Sequence, residues 1–139
     1  MISMKDVVTM NIPFPDIDSQ LARQSHMYVC MRTGQHKQFV KCQTFKPLHL
    51  VSHRPPRRYI VETPDLLRNP FNRKTTIDCD KCFLISNVVV SKDLLARRNV
   101  CDPLFLSIQQ EIIHPDFIET DLDPIQLTHV NPKITLVHC

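Results

Sequence analysis

The sequence predicts a mainly β protein, a small antiparallel barrel or strongly curved sheet with one helix packed late in the chain. Most of the chain divides into short β-branched and apolar stretches. Pro rather than Gly separates them, since there are eleven Pro and one Gly. Clear helical spacing of apolar residues occurs only late, at 102–114. The 139 residues suffice for one domain with a hydrophobic core.

Each predicted strand is a β-branched or apolar run bounded by Pro, Gly or a polar loop. The first run, DVVTMNIPF, ends at two prolines, and the polar loop 15–25 has room for a short turn of helix. Gly34 allows a tight turn between the second and third runs, which predicts an antiparallel hairpin. The fifth run, TTIDCDKCFLISNVVV, is strand-like with a break near Asp80. The predicted strands are 6–14, 26–33, 36–45, 58–63, 75–90 and 133–138.

The periodicity changes in DPLFLSIQQEIIH, residues 102–114, where apolar residues recur at helical spacing. Asp102 followed by Pro103 suits an N-cap and a first helical turn. The stretch SKDLLARR, 91–98, predicts a shorter helix capped by Ser91. We therefore divide the chain into a barrel domain, 1–114, and an acidic C-terminal extension, 115–139, with one strand-like piece.

Charge is distributed unevenly between these two parts. Residues 1–114 hold 16 Lys and Arg against 10 Asp and Glu, a net charge of +6, whereas 115–139 hold one against four, a net charge of −3. A basic body favours a polyanionic partner such as nucleic acid, and a solvated charged surface is the alternative. An acidic tail could fold over a basic groove. Alternatively, KITLVH, 133–138, adds a strand or makes a dimer contact.

Several classes of protein are disfavoured by composition. A single Gly excludes glycine-rich phosphate loops. No apolar run reaches the roughly 18 residues that span a membrane, and the first ten residues lack the apolar stretch of a signal peptide. We therefore expect a cytoplasmic protein without a membrane partner, whose six cysteines are reduced.

The CxxC pair Cys79 and Cys82 raises the question of a metal or redox site. A structural zinc site needs four ligands, and there is no second CxxC. Other candidate ligands could join the pair only through the fold: Cys101, His114, His138 and Cys139. On one strand, positions 79 and 82 would point to opposite faces, and Asp78 and Asp80 would raise the thiol pKa values. We expect ordinary strand cysteines, with no metal and no cofactor.

Residue types that could act on a phosphodiester are concentrated around the second and third strands. They are Arg23, His26, Arg32, Lys41, Thr44 and Lys46. A metal-free ribonuclease must remove a proton from a 2′-hydroxyl, supply one to the leaving 5′-oxygen and neutralise the phosphorane, and these residue types can do so. Solvent-facing positions on exposed strands are the alternative. The HRPPRR stretch, 53–58, could clamp phosphates or be a rigid solvated loop.

With these residues in view, KDVVTMNIPFPDIDSQLARQSHMYVCM, 5–31, resembles the opening of the MazF/PemK family of toxin endoribonucleases. FVKCQTFKP, 39–47, resembles the family's third strand, which carries Thr or Ser after an apolar–polar stretch. NPFNRKTTIDCDKCFLISNVVV, 69–90, resembles its hairpin, and 102–114 its C-terminal helix. The likeness covers roughly 5–114, and the order of the motifs supports it more than any single motif.

The resemblance implies an SH3-like small antiparallel barrel of the CcdB/MazF type with a C-terminal helix, usually forming a homodimer. It implies the toxin component of a type II toxin–antitoxin system, which cleaves single-stranded mRNA without a metal. It also implies a cognate antitoxin, whose acidic segment lies in the RNA groove.

Carried over residue by residue, the family's arginine before the second strand falls near Arg23, or is replaced at Ser25 and His26. Many members of the family have a basic residue followed by RP at this point, whereas this chain has RQSHM. The family's hydroxyl falls on Thr44. The expected catalytic residues are Arg23, His26 and Thr44. The expected RNA-binding residues are Gln20, Lys41, Lys46, Arg54, Arg57 and Arg58. The missing RP favours an alternative, a degenerate or non-catalytic module of this fold that binds a protein or nucleic acid.

Overall fold

The computed structural model describes residues 1–46 and 58–137, and this part of the chain is built mainly from β-strands. The strands are β1 (Val7–Met10), β2 (His26–Arg32), β3 (His36–Thr44), β4 (Tyr59–Glu62), β5 (Thr75–Asp78), β6 (Lys81–Ser86), β7 (Val88–Val90), β8 (Ile118–Asp121) and β9 (Ile134–Leu136). The helices are α1 (Gln20–Arg23), α2 (Asp102–Glu111) and α3 (Pro124–Val130), with a 3-10 turn at Lys92–Leu94. The predicted mainly β class is confirmed.

The longest strand, β3, organises the main sheet. It pairs antiparallel with β2, which pairs antiparallel with β1. On its other side, the C-terminal half of β3 pairs with β5 and the N-terminal half with β6. β4 pairs antiparallel with β5, and β8 is added parallel to β6. β7 and β9 form a separate antiparallel pair. Within the described ranges, these pairings do not close into a barrel.

The predicted break near Asp80 is confirmed, and it separates β5 from β6. Cys42 lies opposite Ile77 and Phe39 lies opposite Phe83, so five residues, 78–82, stand opposite only two residues of β3. The extra residues interrupt the alternation of side chains between the two faces of a strand.

The expectation that Cys79 and Cys82 point to opposite faces is therefore wrong. Both side chains are buried in one hydrophobic cluster, together with Cys42 and Ile77. Simple alternation would separate positions 79 and 82, but the break between the two strands turns both into the same part of the core.

The main sheet is covered on both faces. One face, which we call the tail face, packs against residues that include the C-terminal extension. It contains Val8, Met10, Tyr28, Phe39 and Phe83, packed with Leu122, Leu127 and Ile134. The other, which we call the α2 face, packs against α2. It contains Val29, Val40, Cys42 and Ile77, packed with Leu104, Phe105 and Ile108.

The predicted helix at 102–114 is observed as α2 and is shorter at its C-terminal end. Its N-cap residue is Cys101, one position before the predicted Asp102, and Pro103 lies in the first turn. The predicted helix at 91–98 is wrong, because only one 3-10 turn, Lys92–Leu94, is observed there. Ser91 does cap this turn, accepting a bond from the Asp93 amide at 3.1 Å. The chain then becomes extended, because Leu95 forms an antiparallel bridge with Val8 of β1.

The C-terminal extension contributes to the same core as the rest of the chain. The KITLVH stretch contains β9, which pairs with β7. Two further elements, β8 and α3, were not predicted. α3 is capped by Asp123, whose carboxylate accepts a bond from the Ile125 amide at 2.8 Å. Leu122, Leu127 and Ile134 are buried on the tail face.

Among the described residues, no helix combines the length and apolar character needed to cross a bilayer.

We expect Leu127→Ala to lower the free energy of unfolding by about 2–5 kcal/mol, because it leaves a cavity beneath α3. Leu127 has no exposed surface. Ile125→Ala is the matched control, since Ile125 lies in the same helix and is 68% exposed. The control should change stability by no more than about 0.5 kcal/mol. Urea unfolding measures both, and equal effects would contradict a structural role for the extension.

Candidate functional site

A polar groove of about 580 Å³ opens where α1, the start of β2 and the end of β3 meet. The described residues that line it are Gln20, Leu21, Gln24, Ser25, His26, Lys41, Gln43, Thr44, Lys46 and Arg73. Four of these residues are His, Lys or Arg, and none of the lining residues in the described ranges is Asp or Glu. A groove with this lining is suited to an anionic ligand.

The strand register explains which side chains share the groove. Tyr28 lies opposite Lys41 and Met27 opposite Cys42, and the same register extended by one residue places His26 across from Gln43. Directly opposite residues of an antiparallel pair project from the same face. His26, Lys41 and Gln43 therefore project from the tail face, beyond the buried Tyr28.

The side chain of Thr44 projects from the other face of β3. Its neighbour Cys42, two residues earlier, is buried on the α2 face, and Thr44 lies opposite Thr75 of β5. Side-chain alternation thus directs Thr44 to the α2 face. Because Thr44 is the last and an exposed residue of β3, it still borders the groove at the rim.

A second cavity of about 290 Å³ adjoins the groove on the α2 face. The two share Ser25, His26, Gln43, Thr44 and Arg73 as lining residues. The second cavity adds Met27, Cys42, Phe71, Asn72 and Thr75. His26 and Thr44 consequently lie at the junction of the two cavities.

The His26 ring is oriented by the backbone. Its Nδ1 lies 3.2 Å from the carbonyl oxygen of Gln24. A carbonyl can only accept, so Nδ1 carries the proton, and in the neutral ring Nε2 keeps a free lone pair. Burial lowers the pKa of His26, the bond to Gln24 opposes this, and the nearby Lys41 charge lowers the pKa further. The ring is therefore a neutral acceptor at neutral pH.

Lys41 is a partly buried cation of the groove, and its pKa is lowered. Burial lowers the pKa of its ammonium, Asp78 opposes this effect, and Lys81 adds to it. Burial likewise raises the pKa of Asp78. An anion bound beside Lys41 would favour the charged ammonium and replace part of its lost hydration.

The structure brings together five of the nine predicted site residues. Gln20, His26, Lys41, Thr44 and Lys46 all line the groove. Arg23 is exposed in the last turn of α1 and is not among the lining residues. Arg58 is also absent from the lining, and its guanidinium lies 3.6 Å from the carboxylate of Glu111. Arg54 and Arg57 lie outside the described residues.

Sequence reasoning missed Gln43 and Arg73. Gln43 could have been found, because it follows Lys41 at the period of two that places both on one face. Arg73 belongs to the long loop before β5, and nothing in its local sequence assigns it to the groove. It reaches the groove because Thr75 of β5 pairs with Thr44 of β3.

No residue of 115–137 lines the groove, so the described part of the acidic extension does not cover it. The extension instead packs in the core, as described above.

The CxxC thiols are enclosed by the core. Burial raises the pKa of Cys79 to about 12, and Asp78 is the largest charge that adds to this. Burial also raises the pKa of Cys82 to about 11, opposed by the Gln38 amide, which donates to Sγ at 3.3 Å. A thiolate is the form that binds metal or attacks a disulfide, and these pKa values disfavour it. In the described residues, no group of three or more His, Cys, Asp or Glu could hold a metal ion.

Comparisons of this chain with protein-family models, with curated proteins and with solved structures give no match.

We expect the His26 ring to titrate below the ordinary value of about 6.5, and a histidine-specific NMR titration measures its midpoint. Lys41→Met should raise the midpoint, because it removes a positive charge that disfavours the imidazolium. An unchanged or lower midpoint in this variant would contradict the proximity of the two side chains. Lys92→Met, an exposed position distant in sequence, serves as the charge-matched control.

We expect Cys79 and Cys82 to resist alkylation by iodoacetamide at pH 8 in the folded protein, because both are buried thiols with raised pKa values. Mass spectrometry of peptides locates the label. The same treatment in denaturant should label both residues, which confirms that the reagent detects them. Rapid labelling of either residue in the folded protein would indicate an accessible thiolate.

Proposed function

We propose that this protein is a metal-independent endoribonuclease that cleaves single-stranded RNA by attack of the 2′-hydroxyl. The observation that supports this best is the groove in which a neutral His26 adjoins Lys41, with no carboxylate among the described lining residues. The motif order resembling MazF/PemK further supports the toxin component of a type II toxin–antitoxin system.

In this proposal, His26 is the general base. Its Nε2 takes the proton of the 2′-hydroxyl as the 2′-oxygen attacks phosphorus, and the bond from phosphorus to the 5′-oxygen breaks. The products are a 2′,3′-cyclic phosphate and a 5′-hydroxyl. Lys41, whose lowered pKa makes the ammonium a better acid, donates the proton to the leaving oxygen.

Charge on the pentavalent phosphorane is neutralised by cations at the groove. Arg73 borders both cavities and can donate two parallel hydrogen bonds to phosphate oxygens. Thr44, at the rim between the cavities, donates its hydroxyl to the same phosphate. Gln20 and Lys46 bind the adjoining backbone.

The preference for single strands follows from the two adjoining cavities. A phosphate at His26 and Thr44 would place neighbouring nucleotides in the groove and in the smaller cavity. The bases of a duplex are stacked and paired, so they could not enter both cavities.

Under the same proposal, the mainly antiparallel sheet with α2 packed on one face is a variant of the SH3-like CcdB/MazF barrel. The protein is a cytoplasmic homodimer, and an acidic antitoxin segment binds the basic groove in place of RNA. The absence of carboxylates from the described lining residues favours such a partner.

A second candidate is a non-catalytic module that binds nucleic acid or an acidic protein in the same groove. Two observations favour it. Thr44 projects from the face of β3 opposite to His26 and Lys41, and Arg23 lies outside the groove lining. The missing RP in the sequence RQSHM points the same way.

We expect purified protein to cut single-stranded RNA in the presence of EDTA, and His26→Gln to reduce the rate by about 10²–10⁴-fold, as for loss of a general base. Gel analysis with identification of cyclic-phosphate ends measures both. His36→Gln is the matched control, since this exposed histidine begins β3 at the opposite end of the strand.

Saturable RNA binding without cleavage would support the second candidate. A protein that neither binds nor cuts RNA would contradict the nuclease and the RNA-binding form of the second candidate. Cleavage that His26→Gln leaves unchanged would contradict the role of the histidine.

A further inference from the structure

Two asparagines that are 120 residues apart in sequence form a closed set of hydrogen bonds beside the groove. The amide of Asn11 donates to Oδ1 of Asn131 at 2.8 Å, and Nδ2 of Asn131 donates back to the Asn11 carbonyl at 2.6 Å. Asn131 also donates to the Leu127 carbonyl at 2.9 Å. We call Asn11, Asn131 and these bonds the amide bracket. It joins the end of β1 to the end of α3.

The side chain of Asn11 extends the bracket to the segment before β2. Its Nδ2 donates to the Ala22 carbonyl at 2.8 Å, and its Oδ1 accepts from the Ser25 hydroxyl at 2.8 Å. Ala22 and Ser25 stand on either side of Gln24, the residue that caps the C-terminal end of α1. The Gln24 carbonyl in turn accepts the bond from His26 Nδ1.

From this chain of contacts, we infer that Asn11 and Asn131 are positioning residues for His26, so that the C-terminal extension sets the orientation of the histidine in the groove. The inference rests on the proposed function in one respect, the role of His26 as a base. Neither asparagine lines the groove, and both act through Gln24.

The amide of Asn131 suits the bracket chemically. It offers a donor and an acceptor in one plane, which matches the N–H and C=O of a single residue. Asn131 is 5% exposed, so its polar atoms depend on these partners. Residue 11 follows the last residue of β1, and the Asn131 amide bonds to its backbone as a neighbouring strand would.

The test is the protonation state of the His26 ring, measured by nitrogen NMR at a pH above its titration. In the wild type, we expect the proton on Nδ1. In Asn131→Ala and Asn11→Ala, we expect a shift towards the Nε2-protonated form, which an unrestrained imidazole favours in water. In RNA cleavage, both variants should lower kcat at least tenfold with little change in KM, because substrate contacts remain.

Ile134→Val is the matched control. It trims a buried side chain of the same extension and keeps the bond from the Ile134 amide to the Asn131 carbonyl, so it reports a general loss of stability. We expect the control to keep the wild-type ring tautomer and kcat. If Asn131→Ala does not fold, Asn11→Ala still tests the step that the inference requires, since it removes the bonds to Ala22 and Ser25 and leaves Asn131 and its backbone partners in place. An unshifted tautomer in this variant would overturn the inference.

An Nδ1-protonated ring in the folded variants would overturn the inference, and so would an equal shift in Ile134→Val. A shifted tautomer in a protein that never cuts RNA would support the positioning role and contradict the nuclease proposal. An unshifted tautomer in a protein that cuts RNA through His26 would do the reverse.

Discussion

The pairing of β3 with three other strands is the constraint on which the rest of the structure depends. Its nine residues pair with β2 on one side and with both β5 and β6 on the other. This arrangement places alternate side chains of β3 on the tail face and on the α2 face. The groove exists because β3 ends and β2 begins near α1, where Lys41 and Gln43 are no longer covered by the core.

The main strands, the break at Asp80 and the long helix could be predicted, because each produces a local pattern of apolar residues. β8 could not, since IETD is short and polar and forms a strand only because β6 offers it a parallel edge. The face of the sheet to which Cys79 and Cys82 point depends on the number of residues in the break. The spacing of apolar residues along the sequence does not reveal that number. Likewise, Arg73 reaches the groove through a pairing between distant strands.

Burial is the largest influence on the pKa values of the two basic side chains at the centre of the groove. His26 and Lys41 both have pKa values lowered first by desolvation, so the free protein holds two basic groups that are biased towards their neutral forms. A bound phosphate would oppose this effect, because negative charge favours the protonated form of both groups.

The amide bracket also limits how early during synthesis the orientation of His26 can be fixed. Asn11 is synthesised 120 residues before its partner Asn131. A contact between such distant residues cannot form until Asn131 has emerged from the ribosome. Until then, the nascent chain would carry His26 without the bonds between Asn11 and Asn131 that we infer to orient it.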